Sequence, residues 1–483
     1  MTISITELAY LQWLLGEEKT QQENILRARE YYEGDQDVRL TDRQRQYLGF
    51  EKGGEFCLNY CGDVVDSVVE RLQIKSFACQ EQAVSEWITQ IWAGNRMDAG
   101  QRSVHAGAVL DGEHFVIVDW DATTRRIRFY PHPRYTDPSI EGTGFGCKAH
   151  YPDGDASQEI EFASKRWTEP MINESGQRQT LQRMTLYYPN RIEKYVMGKG
   201  GEWSQLDEPG QQMMGSSAAD AVGGRPVWPV PWVDQAGKPL GIPVIHFRNP
   251  ALRSELWNAF YVQDAVNKTA LDLLAAGDTA GFRILFAHGW IPTTDGKNPA
   301  SDGSNLLKIT PGQIISCPAA DAGLDAIEPT DLSKLEDVLN GWIMRLAQVT
   351  GTPVSRFQMT KQIAAEGTLK QQESKLIAKV EDRQVTFGNA WEDCLGVARR
   401  MANTFGAAGL DEEAQIESQW NPAAVRDETA ELERIALKRE KLSVPLFQVW
   451  EEAGYSQEQI TAMLNSPEIR NLTFAAYPGA AGG

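Results

Sequence analysis

LSKLEDVLNGWIMRLAQV (Leu332–Val349), the break that follows it, and the long stretch Thr368–Phe405 decide how this 483-residue chain is read. In the first stretch Leu332, Leu335, Val338, Leu339, Trp342, Leu346 and Val349 recur three and four apart, which places them on one helical face. Thr330 and Asp331, just after Pro329, stand where an N-cap belongs. Gly351-Thr352-Pro353 must end the helix, because glycine frees the backbone and proline lacks an N–H. Next comes PVSRFQMTKQIAAEG (Pro353–Gly367), too polar and mixed to be core. A second helical pattern then carries Leu369, Leu376, Ile377, Val380, Phe387, Trp391, Leu395, Ala398, Met401 and Phe405 on its apolar face. Thr368 and Gln371 fit a capping box at its start, and Gly388 is a candidate kink. At ~1.5 Å per residue this helix spans roughly 57 Å, more than most single domains need. A helix, a polar loop and a very long helix imply an elongated subunit that packs beside copies of itself.

A third helix is expected over Ser254–Gly277, with Ser254 as N-cap and Leu256, Phe260, Val266, Ala270 and Leu273 inward. Between it and Leu332 lies a compact insertion, with strands expected at Ile284–Phe286, Leu306–Ile309 and Gln313–Ser316 and turns at Asp295-Gly296 and Asp302-Gly303. Two helices thus bracket a small β-containing tip.

Further upstream, residues 1–35 read as helical, as do Asn59–Leu72, Glu86–Ala93 and Gly100–Leu110. A β-rich section follows. His114–Asp121 and Arg126–Pro131 read as a hairpin, and Phe145–Tyr151, Arg183–Tyr188, Arg191–Met197 and Pro243–Phe247 as further strands. Asp207–Gly241, rich in Gly, Pro, Ser and Ala, reads as a long mobile loop or arm. Downstream, Gln415–Trp420 reads as a strand, and Val425–Lys441, Pro445–Ala453 and Gln457–Leu464 as short helices before a disordered tail. The fold class is α+β.

Composition narrows the function. The hydrophobic fraction is 42% with no long uninterrupted apolar run, so no transmembrane helix and no membrane partner are expected. The first residues lack a basic segment and a cleavage site, the pattern of a chain kept in the cytoplasm. A net charge of -19 argues against gripping nucleic acid through a broad basic surface, yet permits nucleic acid to slide past.

The sequence offers no catalytic constellation. Gly142-Thr143-Gly144-Phe145-Gly146 is followed by a strand, where a dinucleotide site needs a helix. Neither a P-loop, an HExxH nor a GxSxG motif occurs. Cys57 and Cys61 are four apart on an expected helix, without the second pair that zinc requires, and read as buried thiols. Asp119 and Asp121 share a strand face beside a turn, where solvated aspartate is ordinary. His105, His114, His132, His150, His246 and His288 are dispersed. No catalytic residue, metal ligand or cofactor is assigned, and the chain does not read as an enzyme.

Taken together, YYEGD (Tyr31–Asp35), NYCGDVVDSVVERLQIKSF (Asn59–Phe77), LYYPNRIEKY (Leu186–Tyr195), PVIHFRN (Pro243–Asn249), SELWNAFYVQDAVNKTALDLL (Ser254–Leu274), VTGTPVSRF (Val349–Phe357) and KVEDRQVTFGNAWED (Lys379–Asp393) resemble the portal proteins of tailed double-stranded-DNA bacteriophages, of the siphophage type. The resemblance lies in order and local texture over most of the chain. It implies a ring-forming subunit, usually one of twelve, at one capsid vertex. Double-stranded DNA is packaged and ejected through the ring, which docks the terminase large subunit, the head-completion (adaptor) proteins, and the major capsid and scaffolding proteins. Assembly in the host cytoplasm and residence in the virion follow.

Carried over, the resemblance implies a wing at 1–250, a stem helix at 251–282, a clip at 283–329, a second stem helix at 330–351, a tunnel loop at 352–367, a long wing helix and strand at 368–424, and a crown with its tail at 425–483. Arg356, Gln358 and Lys361 become tunnel-loop DNA contacts. Glu255, Asp264, Lys268 and Asp272, three acids and one base, become the acidic stem lining. Lys297, Asn298, Asp302 and Lys308 become clip docking residues. A wall with few cations suits a sliding polymer, since each neutralised phosphate adds counterion-release affinity. The other readings are a different acidic capsid-assembly scaffold or adaptor, which would lack the helix–tip–helix insertion, and a small-molecule enzyme.

Overall fold

The computed structural model describes residues 20–36, 56–136, 146–155, 158–172, 178–197, 203–205, 221–222, 225–226, 229–281, 285–288, 323–326, 331–357, 366–424 and 428–442, with short pieces between 444 and 463. Its packing divides the chain into two units, Met1–Asn421 and Pro422–Gly483.

In the first unit, helix α1 (20–33) buries Ile25, Ala28 and Tyr31. Helix α2 (Cys61–Val69) buries Val64, Val65, Val68 and Val69, which recur at helical spacing. The chain then turns into strand β1 (Ile74–Cys79), helix α3 (Gln82–Gly94) and helix α4 (Met97–Asp111). Cys57 lies ahead of α2 rather than on it. Its sulfur sits 3.1 Å from Gln36 Nε2, and burial pushes the Cys61 thiol well above its ordinary range.

The expected hairpin forms from β2 (Glu113–Asp121) and β3 (Arg126–Pro133). A meander follows: β4 (Cys147–His150), β5 (Phe162–Ile172), β6 (Arg178–Tyr187), β7 (Arg191–Met197) and β8 (Trp203–Gln205). Two-residue strands β9 (Ala221–Val222) and β10 (Arg225–Pro226) pair with each other. Strand β11 (Val230–Pro231) adds to β7, giving the order β11-β7-β6-β5-β4 with β8 also on β7. Strand β12 (Val244–Arg248) closes a second sheet, β12-β2-β3. Strand β5 escapes the sequence reading because Ser164 and Arg166, both buried, interrupt its apolar alternation.

The end of the expected arm is packed. Trp232 is buried, donates from Nε1 to the Gly241 carbonyl at 2.8 Å and lies 5.7 Å from the Phe405 ring. Residues 207–220 of the arm, like Gly142–Phe145, lie outside the described residues.

Helix α5 (Phe260–Gly281) begins later than the expected Ser254. The segment before it is held in turns: the Glu255 N–H bonds the Val109 carbonyl at 3.0 Å, and the Ser254 hydroxyl accepts from Leu256 N at 3.2 Å. Beyond α5, strands β13 (Leu285–His288) and β14 (Gly323–Ala326) pair; β14, lacking β-branched residues, gives no strand signal. The strands expected at 306–309 and 313–316 lie outside the described residues.

Helix α6 (Leu332–Thr350) follows the sequence closely: Asp331 caps it by accepting from Ser333 N, and Gly351 ends it at φ 65°. Helix α7 (Glu366–Gly406) begins before Thr368, so that residue is no cap; its side chain, like that of Gln371, lies outside the described residues. The helix also runs through Gly388 without a break. Gly388 serves close approach instead. A Cβ there would clash with Ser418 Oγ on strand β15 (Ile416–Trp420), which pairs with β1.

The core of this unit gathers where α3, α4, β12 and α7 meet. Trp391 lies 4.8 Å from Phe247 and 5.0 Å from Trp92, ring to ring, and His105 stacks on Phe387 at 5.3 Å. In the second unit, helix α8 (Glu428–Leu442) buries Ile435 and exposes Leu437 and Leu442.

Candidate functional site

The features singled out in the sequence converge on α5, α6 and the junction from α6 into α7. Helices α5 and α6 pack together. Ile343, Leu346 and Ala347 of α6 are buried, as are Val266, Ala270 and Leu271 of α5. The apolar surface exceeds what this contact covers. Val338, Met344 and Val349 on α6, and Tyr261 and Leu274 on α5, remain 46–76% exposed. Val338 and Val349 were expected on the buried face; they form a second, uncovered one.

The four stem residues part company. Glu255 precedes α5 and its side chain is only 7% exposed. Its carboxylate takes Lys379 Nζ and Arg383 Nη2, the latter at 3.1 Å, so it is a buried tie rather than an open wall. Asp264 accepts from the Tyr31 hydroxyl at 2.6 Å, and burial together with that acceptor pushes Tyr31 up to about 12. Arg27 lies 4.6 Å over the Phe260 ring beside them. Lys268 is exposed and Asp272 half-buried.

At the junction, Gly351 leads into Pro353 and a short 3-10 turn, Val354–Arg356. Phe357 packs edge-on against Tyr60 at 5.6 Å, pinning the start of the loop to the approach to α2. Arg356 pairs with Glu70, the C-cap of α2, within the same chain. Gln358 and Lys361 lie outside the described residues, as do Lys297, Asn298, Asp302 and Lys308 of the insertion. Sequence reasoning missed Lys379 and Arg383. Their spacing of four on one helix, at the edge of an apolar face, was the available signal.

The other candidates resolve into structural roles. Asp121 caps its turn, accepting from Thr123 N at 2.9 Å and Thr124 N at 3.2 Å. Asp119 is half-buried, and that burial pushes its carboxyl up to about 7. His105 accepts from Trp391 Nε1 at 2.9 Å, so its Nδ1 donates to the Leu72 carbonyl at 2.9 Å. His246 joins the Tyr151 hydroxyl, 2.7 Å from Nδ1, to Glu113, 3.1 Å from Nε2; Arg134 also pairs with Glu113. Among the described residues no group of three or more His, Cys, Asp or Glu side chains could hold a metal ion, and no helix is long and apolar enough to cross a membrane.

Comparison with known proteins bears on the same segments. The family described as "Phage portal protein, SPP1 Gp6-like" matches residues 11–454. The portal proteins of Mycobacterium phage D29 and Mycobacterium phage L5 are each 22% identical over 351 residues, 70% of this chain. The alignment covers 63% of the length of each relative. A solved chain described as "Virion of native gene transfer agent (GTA) particle" is 11% identical with a TM-score of 0.37, covering 84% of this chain and 89% of that one. With its family match spanning α1 to α8, the chain belongs to the SPP1 Gp6-like phage portal proteins.

Proposed function

We propose that this chain is a structural, non-catalytic subunit of a closed ring, twelve copies around a channel at one capsid vertex, through which double-stranded DNA is packaged and later ejected. Membership of the portal family, matched over residues 11–454, carries this reading. The uncovered apolar faces of α5 and α6 support it: Val338, Met344, Val349, Tyr261 and Leu274 suit burial against a neighbouring copy. Helices α5 and α6 act as the stem, the insertion over 283–329 as the clip that docks the terminase large subunit and the head-completion proteins, and 352–367 as the tunnel loop. Residues 1–250 with 368–424 act as the wing and 425–483 as the crown. The ring assembles with capsid and scaffolding proteins in the host cytoplasm and stays in the virion.

Lys268, Asp264 and Asp272 lie toward the channel, where an acidic balance lets phosphates slide. Arg356, Gln358 and Lys361 make brief contacts at the narrowest point. Arg356, already paired with Glu70, offers DNA a cation whose affinity is tempered by its own carboxylate. Electron microscopy of the purified protein tests the reading. Rings with a central hole are expected, and their symmetry gives the copy number. Small compact particles that stay unassembled after capsid and scaffolding proteins are added would overturn it. Arg356→Ala with Lys361→Ala tests the loop. A change in packaged DNA length or retention is expected, and unchanged values for both would remove the DNA-contact role.

A further inference from the structure

One side chain ties together three parts that the sequence keeps far apart. Lys379, on α7, donates both to Glu255 Oε1 and to the Thr350 carbonyl. Thr350 is the last residue of α6, whose terminal carbonyls lack helical partners and carry the negative end of the helix dipole. Glu255 lies just before α5. The chain therefore leaves the ammonium at Thr350, makes the whole loop and the first turns of α7, and returns to the same ammonium. Gly351 fits beneath this closure: a Cβ at its φ of 65° would lie 3.5 Å from Lys379 Cε.

The approach to α5 is fixed just as firmly. Arg383 reaches Glu255 Oε2 at 3.1 Å and Asn249 Oδ1 at 3.1 Å. Asn249 donates from its backbone to Gly112 O at 2.9 Å and from Nδ2 to Arg253 O at 2.8 Å. Gly112, at φ 93°, permits this contact, since a Cβ there would meet the Arg253 backbone at 2.8 Å. Ala251 and Leu252 both hold positive φ, at 56° and 50°, a strained pair that persists only where the surroundings dictate it.

We propose that Lys379 is the positioning residue of the junction over 351–357, fastening the end of α6 to the head of α5 so that this junction and the two helix ends move as one joint. The charge balance supports a positioning role over a purely stabilising one. Without Lys379, Glu255 still has Arg383, one cation for one buried carboxylate, so the fold keeps its pair. What is lost is the tie to Thr350. The proposal rests on the portal reading only for its consequence on DNA.

The test compares wild type, Lys379→Met and Lys379→Arg as full-length rings. Hydrogen exchange at residues 351–357 and 254–262 should rise about tenfold together in Lys379→Met and return toward wild type in Lys379→Arg. Ring symmetry and melting temperature should hold. Particles carrying Lys379→Met should lose DNA content, and Lys379→Arg should restore it. Unchanged exchange in Lys379→Met overturns the joint, whatever the protein does in the virion. Faster exchange with normal DNA content overturns the positioning role. Glu255→Asp, which keeps the charge and shortens the reach, provides a second variant should Lys379→Met fail to fold, and exchange unchanged there overturns the joint equally. A wild type that forms no rings defeats the portal reading while leaving the exchange result to decide the joint.

Discussion

At the scale of single residues, His105 is fully buried between the Leu72 carbonyl and the Trp391 indole. Burial lowers its pKa from 6.5 to about 4. The unfolded chain therefore binds its proton first, so this contribution to stability is intact above pH 6.5 and is lost progressively as pH falls from 6.5 to the folded value of about 4. By pH 4.5 the loss amounts to roughly 2–3 kcal/mol. Denaturant titrations of wild type and His105→Gln at pH 7 and pH 4.5 should differ in their pH dependence by about that amount; equal slopes would disprove a buried neutral His105. Gly388 allows a second residue-level prediction. Gly388→Ala improves helix propensity by about 1 kcal/mol but drives a Cβ toward Ser418 Oγ, an overpacking cost of about 1–3 kcal/mol. Because Ser418 is held by Glu392 at 3.0 Å, the clash should prevail, with a net loss of about 1 kcal/mol in thermal unfolding.

Among the elements, α6 was the most legible. Its start at Asp331, its length and its stop at Gly351 all stand in the sequence as cap, period and breaker. Gly351→Ala forces a side chain into the left-handed region and should cost about 1–2 kcal/mol by denaturant unfolding. What periodicity could not say is which apolar residues are covered. The residues at three-and-four spacing wrap more than one face, and Val338, Met344 and Val349 face outward. Replacing Met344 and Val349 with Glu should leave the monomer's stability within about 0.5 kcal/mol, as exposed substitutions do. Sedimentation should show the rings abolished; intact rings would mean that neither residue lies in the contact between copies.

Over the whole molecule, the division at Asn421 predicts that Met1–Asn421 folds without the rest. A chain ending at 421 should retain the cooperative thermal transition of that unit, and loss of that transition would show the two units to be interdependent. Within the unit, the core is made by pairs distant in sequence: His105 with Trp391, Gln101 with Ile74, Gln263 with Leu58 and Tyr60. Tyr31 reaching Asp264 and Arg71 reaching Glu373 extend the pattern to the surface. No local pattern signals such partnerships, because each side chain looks ordinary until the fold supplies its mate.

Local pattern alone was enough for the order of the long helices, the helix–insertion–helix plan, the cap and breaker around α6, and the family. These follow from local periodicity, from turn residues and from segment order, all of which one chain displays directly. Tertiary structure decided where α5 begins, that Glu255 is a buried tie rather than part of an open wall, that Gly388 admits a strand instead of bending a helix, and that Arg356 already has a carboxylate beside it. Each of these depends on a group brought from far along the chain. Burial and charge pairing act through space, and their partners are set only when the packed core brings the segments together.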